Sequence, residues 1–285
     1  MTAAPSLVIG KANPKRGTGS GFGDGHRIRW APDSLSLVLA SGRPASGSGF
    51  LRRAPHMILR RCAALLPGGV QEELRRLRFC RRARRGNFSP NEPEADILYR
   101  IVSVGDWVLD VGANVGQYTL LLSRLVGGAG RVLAIEPMAN TVATLAAVAK
   151  LATYRNITIL NVAASDRFAV AAFDVPIDDD GLDNYERARI AGRGPIPVLA
   201  VPLDALQLPS PIALAKIDAE GHELPVLVGM RRTLERDHPI LIVEENEDSP
   251  SGFLVGLGYS ARRLVRSPNT IYYYGPAHAE LIASL

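Results

Sequence analysis

Cysteine is nearly absent. The 285 residues hold two, Cys62 and Cys80, with no CxxC spacing, which excludes a disulfide framework and suits a reducing compartment; the expected location is the cytoplasm. Long apolar runs are missing as well. None approaches the roughly 18 residues of a spanning helix, and no apolar signal core precedes the Gly-rich stretch near the N-terminus, so neither a membrane span nor export is expected. Residues 1–60 are acid-poor and basic in the manner of an organelle transit peptide, but they are also rich in Gly and Pro. Acidic groups are scarce only at the front. Residues 1–90 carry 17 of the 33 Lys and Arg but 4 of the 28 Asp and Glu, whereas residues 91–285 carry 16 basic and 24 acidic groups. The net charge of +5 therefore hides a basic extension on an acidic body. An argument for nucleic acid or anionic membrane applies to the extension and not to the whole chain.

What is present divides the chain into three expected parts: a flexible basic extension over 1–50, an Arg-rich helical segment over 51–90, and a main domain over 91–285. GKANPKRGTGSGFGDG (10–25) and SGRPASGSG (41–49) read as linker, and 28–40 between them suits a strand or a helix. In 51–85 apolar residues alternate with Arg. Pro67-Gly68-Gly69 should split this stretch into two short helices, with Val70, Leu74 and Leu77 on one face.

From Asp106 onward apolar runs alternate with helical spacing. The runs are WVLDVG (107–112), RVLAIEP (131–137), NITILNVA (156–163), IALAKID (212–218) and PILIVEEN (239–246), with AVAAFDV (169–175) and NTIYYYG (269–275) as further strands. Helices are expected over 114–126, 141–151 and 222–235, and 253–265 should hold a helix end and a strand. A polar stretch over 176–197 interrupts the pattern. Such alternation predicts βαβ units and a parallel sheet. Ligands of such sheets bind beyond the carboxyl ends of the strands, so chemistry is sought just after each run.

The first loop, VLDVGANVGQYT (108–119), is the strongest signal. Asp110 closes the strand, Gly112 permits a tight turn, and Gly116 should let the following helix approach the strand. A dinucleotide loop needs bare backbone at its second Gly. Here Gly112-Ala113-Asn114-Val115-Gly116 places Asn at that position, which would crowd a pyrophosphate. The loop suits a smaller ligand carrying an amine and a carboxylate, as at the methionine end of S-adenosylmethionine. Glu136 ends the second run, 20 residues after Gly116. An acid there can accept bonds from both ribose hydroxyls; the bland alternative is a solvated loop acid. Ala163, Ala164 and Ser165 would leave a slot for a flat adenine, although a plain strand end predicts similar letters.

The fourth run ends in Asp218-Ala-Glu220-Gly-His222-Glu223, four ionisable groups beside the expected donor. They are candidates for acid–base work, with Asp218 or His222 as the base and Glu220 beside them, and less readily for a metal. Alternatively Glu223 simply opens a helix, where a carboxylate favours the dipole. Glu244, ending the fifth run, could also face the cleft. Asp218 is not followed by the Pro-Pro-aromatic segment of adenine-N6 enzymes, and 91–285 lacks the cysteine that cytosine-C5 enzymes need, so a base-modifying DNA enzyme is disfavoured. Asp178 to Asn184 does not place its carboxylates at calcium-loop positions and reads as a mobile acidic loop near a substrate mouth. The Arg-rich 51–85 segment offers contact to an anionic surface, but suits equally a pair of helices packed on the main domain with Arg in solvent.

VLDVGANVGQYTL, GRVLAIEP, VPLDAL, LAKIDAEGHELPVLVGM and PILIVEEN, in this order, resemble the FkbM family of methyltransferases over about residues 92–275. The resemblance implies a Rossmann-like α/β fold with a seven-stranded sheet whose last strand is antiparallel, and O-methylation of a hydroxyl on a sugar or small metabolite. It also implies that Asp110 to Gly116 and Glu136 hold S-adenosylmethionine, while Lys216 to Glu223 border the acceptor. Two rival functions remain open at this level: a nicotinamide oxidoreductase on the same sheet, and a non-catalytic module binding donor or nucleic acid.

Overall fold

The computed structural model describes residues 64–178, 181–191, 194–245 and 250–284. The linker-like runs, the 28–40 segment, Cys62 and the helix expected before Pro67 lie outside the described residues.

Pro67 caps a single helix, α1 (Gly68–Arg84), and α2 (Glu94–Ile101) follows. The face expected to be apolar is the wrong one. Val70, Leu74 and Leu77 are 44, 48 and 50% exposed. The inward stripe is Gln71, Arg75, Phe79 and Ala83, four residues apart, with Phe79 and Ala83 buried against Phe88, Val115, Leu120 and Val148. Two of its four members are polar, so hydrophobic spacing could not point to it.

The main sheet is built from β1 (Trp107–Val111), β2 (Arg131–Ile135), β3 (Ile157–Leu160), β8 (Ile212–Ile217), β9 (Ile240–Glu244), β10 (Ser260–Arg263) and β11 (Asn269–Tyr273). Their spatial order is β10-β11-β9-β8-β1-β2-β3. Pairing is parallel except at β11, which runs antiparallel to both β9 and β10. The seven-stranded sheet with a reversed last strand is thus present. The connecting helices are α3 (Gln117–Val126), α4 (Ala139–Ala149), α5 (Glu223–Gly229), α6 (Arg231–Asp237), α7 (Ser251–Gly256) and α8 (Gly275–Ala283). The single helix expected over 222–235 breaks at Met230, which is fully buried between α5 and α6.

Strand alternation sorts the core into two layers. Leu109, Val111, Leu133, Ile135, Ala215, Ile217, Leu241 and Val243 face α5, α6 and α7 through Val226, Leu227, Leu234 and Leu254. Val108, Val132, Leu214, Ile240 and Ile242 face α2, α3 and α8 through Leu98, Leu122, Val126 and Ile282. Burying each such aliphatic side chain stabilises the fold by about 1.5–3 kcal/mol. Asp110, two residues after Val108, and Lys216, two after Leu214, therefore sit on the α3 side, and the register pairs them directly.

The run 156–163 is not one strand. Asn156 is buried, donating to the carbonyls of Ser123 and Gly127 at 2.9 and 2.7 Å and accepting from the Ser123 hydroxyl at 2.6 Å. β3 covers the next four residues. Ala163–Ala164 (β4) then leaves for a second sheet, ordered β4-β7-β5-β6, with β5 (Ala169–Asp174), β6 (Arg189–Ala191) and β7 (Ile196–Val201). The polar stretch after 176 hides β6, and the IPVLAV strand after it, although an unbroken apolar run, carries Pro197, a residue that argues against a strand interior.

Candidate active site

Strand order reverses at β1, which lies between β2 and β8, and a cleft opens at the carboxyl ends of these strands, where ligands of such sheets bind. Val111, Gly112 and Asn114 line it from β1, Ile135, Glu136 and Pro137 from β2, Ala163 and Ala164 from β4, and Asp218, Ala219, Glu220 and His222 from β8. Phe173, Tyr185, Ala188 and Ile190 close the side belonging to the second sheet.

The β1 loop is held from below. The amides of Gly112 and Ala113 both donate to the carbonyl of Ile135 at 3.0 Å, and the Gly116 amide donates to Ala113. Asn114 takes a left-handed φ of 47° and its amide donates to Glu136 Oε2 at 2.9 Å. Gly116 has φ 93°, and a Cβ there would lie 2.6 Å from Leu145 Cδ1. Its bareness thus serves the approach of α3 to α4, not to the strand. Asp110, Ala113 and Gly116 sit beneath the loop and do not line the cleft; Gly112, Asn114, Glu136 and Ala164 do.

Glu136 is buried. Its Oε1 accepts the Met138 amide at 2.9 Å, so with Asn114 the carboxylate ties β2 to the β1 loop. Burial pushes its pKa up to about 7; the two amide bonds and the Arg75 charge oppose the rise, and Asp110 adds to it. Asp110 is raised by burial, opposed chiefly by Lys216, and accepts the Thr119 hydroxyl at 2.5 Å through Oδ2. Asp110 Oδ1 and Asn114 Oδ1 are both buried without a hydrogen-bond partner. Of the two, only Asn114 lines the cleft, and its unsatisfied acceptor is what a ligand ammonium would complete.

On the opposite wall Lys216, itself buried, donates to Asp218 Oδ2 at 2.8 Å and lies 4.7 Å from the Tyr118 ring centre. Burial works to raise the Asp218 pKa, but the Lys216 charge and bond outweigh it and hold the group below the usual carboxylate range. Glu244 is the reverse. Burial and the Asp218 charge raise it to about 8, and it shares a hydrogen bond with Asp218. Oxygens of Asp218, Glu220 and Glu244 lie within 4.8 Å of one another, and the Lys216 ammonium supplies the neutralising charge at this cluster. Glu220, at φ 50°, is raised by burial and by Asp218. Glu223 opens α5 and its Oε1 accepts the amides of Ala219 and Gly221 at 2.9 and 3.1 Å, fixing the loop that carries Glu220.

His222 Nε2 lies 3.0 Å from Ser165 Oγ, whose hydroxyl donates to Asp166 Oδ1 at 3.1 Å. Burial lowers the His222 pKa, so the ring is neutral at pH 7 and anchored toward β4. The Asp-rich loop is closed by its own bonds, Asp178 to Leu182, Gly181 to Asp178 and Asn184 Nδ2 to Asp178 Oδ1, and delivers Tyr185 to the cleft. Tyr185 carried no legible signal: it lies inside the polar stretch 176–197, away from any strand end that an apolar run marks.

The family model described as "Methyltransferase FkbM domain" matches residues 110–282. The chain belongs to the FkbM methyltransferase family. A search of the curated proteins finds no match. Among solved structures the chain is similar to the FkbM methyltransferase of Methylobacillus flagellatus KT, at 18% identity and TM-score 0.46, over 80% of this chain and 60% of that one. It is also similar to an S-adenosylmethionine-dependent methyltransferase of Aquifex aeolicus, at 17% identity and TM-score 0.39, over 64% and 88%. Aeropyrum pernix fibrillarin, solved with bound S-adenosyl-L-methionine, aligns at 16% identity and TM-score 0.42, over 63% and 72%. No described helix of the methyltransferase is long and apolar enough to cross a membrane.

Proposed function

We propose that the methyltransferase transfers a methyl group from S-adenosylmethionine to a hydroxyl of a sugar or small metabolite. The observation that carries this reading is the pairing of Glu136 and Asp218 on the two walls of one cleft, at the ends of the strands flanking β1. Glu136 would accept the ribose hydroxyls and Asn114 the ammonium, with Asp110 bracing the loop from beneath through Thr119, and Ala163 and Ala164 would border the adenine. The bound donor supplies an electrophilic methyl on a sulfonium. The protein's part is alignment and removal of one proton. Asp218 lines the cleft and is the acceptor of that proton, its oxygen aimed by Lys216. Glu244 holds a proton of its own against Asp218 and so keeps the pair at a single negative charge. His222, committed to Ser165, serves the donor side rather than the base. The donor-binding domain spans 91–285, preceded by the 51–90 segment and the basic 1–50 extension, and we place the reaction in the cytoplasm.

The test uses donor labelled in its methyl group, mixed sugars and small metabolites, and identification of labelled products. Label in an O-methyl ether supports the reading. Label on nitrogen or carbon, or NADH binding without methyl turnover, overturns it.

A further inference from the structure

Outside the matched residues 110–282 lies α1, whose inward stripe carries a cation to the rim of the cleft. Arg75 is half-buried, unlike the exposed Arg76 and Arg78 beside it. Its guanidinium lies 5.3 Å from the ring centre of Tyr185, and 5.9 Å from that of Phe79 one turn on. Tyr185 is pinned at its hydroxyl, which accepts from Asn140 Nδ2 at 2.9 Å and donates to Asp183 Oδ2 at 3.1 Å. Tyr185 and Glu136 line the same cleft.

We propose that Arg75 is a positioning residue of the donor site, through which α1 fixes the Tyr185 wall and holds a positive charge on the side of the cleft shared by Tyr185 and Glu136. The inference rests on the donor reading given above and extends it to a helix outside the matched domain. Two effects are separable. The guanidinium face orders the Tyr185 ring. Its charge favours the ionised Glu136, the form that accepts ribose hydroxyls, and opposes the rise caused by burial. The groups facing Glu136 are the Met138 and Asn114 amides, Asp110 and Arg75. Those around Tyr185 are Asn140, Asp183 and Glu72.

Calorimetric titration of the full chain with S-adenosylmethionine between pH 6 and 9 tests this. Wild-type affinity should rise with pH through about 7 as Glu136 ionises. Arg75→Gln should bind roughly two- to threefold more weakly at pH 7, with the midpoint moved to higher pH and the deficit shrinking toward pH 9. Arg75→Lys keeps the charge, so its midpoint should stay near that of the wild type. Arg76→Gln, one residue along on the exposed face, should match the wild type and controls for helix effects. Arg75→Gln binding like the wild type, or weakening equally at every pH, overturns the proposal. A wild-type chain that binds no S-adenosylmethionine overturns the donor reading itself, and this inference with it.

Discussion

Gly112 stands directly against the backbone carbonyl of Asp218: a Cβ built on Gly112 would fall 1.7 Å from that oxygen. The donor loop and the proposed base are therefore in backbone contact. Gly112 also has φ 75°, so an added side chain would meet both a clash and a strained conformation. Gly112→Ala should destabilise the protein by roughly 2–5 kcal/mol. A denaturant midpoint equal to the wild type would refute the close approach.

Glu136→Ala removes the loop tie and the proposed ribose acceptor together. Donor affinity should fall by about 10²-fold, in proportion to two lost charge-assisted bonds. In the wild type, affinity should drop as pH falls below about 7, because the raised pKa protonates Glu136 there. Titration calorimetry reads both; an affinity independent of pH from 5.5 to 8.5 would remove the carboxylate from ribose binding.

Asp218→Asn should lower turnover by roughly 10²–10⁴-fold while changing donor affinity little. Glu244→Gln keeps a neutral partner but cannot take up charge at high pH. The pH–rate profile should therefore lose whatever limb the wild type shows near pH 8, where Glu244 ionises. Turnover of Asp218→Asn within a factor of about two of the wild type would take Asp218 out of the mechanism.

Asn156→Ala removes the bonds that its side chain makes to the Ser123 hydroxyl and to the carbonyls of Ser123 and Gly127; Gly127 keeps the Gly130 amide. Unfolding should become easier by about 2–4 kcal/mol with donor affinity nearly unchanged. A thermal midpoint within a degree of the wild type would contradict the bonding described.

Parts of the site were legible because their chemistry is local. Gly112, Asn114 and Glu136 lie at strand ends that hydrophobic runs mark, and the cleft collects them as expected, together with Ala164, Asp218, Glu220 and His222. Gly116 was assigned the right property with the wrong neighbour, since its closest approach is to Leu145, a helix away in sequence. Tyr185 and the IPVLAV strand were missed because one lies in a polar segment and the other abuts that segment and carries Pro197. The α1 stripe was missed because Arg75 and Gln71 face inward.

Periodicity of apolar residues, glycine in tight turns and carboxylates after buried runs are written residue by residue, so the α/β sheet and the glycine loop after β1 could be read from the chain alone. Which of several acids shares a proton, which cation holds Asp218 and which ring closes the cleft depend on groups far apart in the chain meeting in one partly buried cleft. There burial and a neighbouring charge a few ångströms away set the ionisation of Glu136, Asp218 and Glu244, and neither has a counterpart in linear spacing.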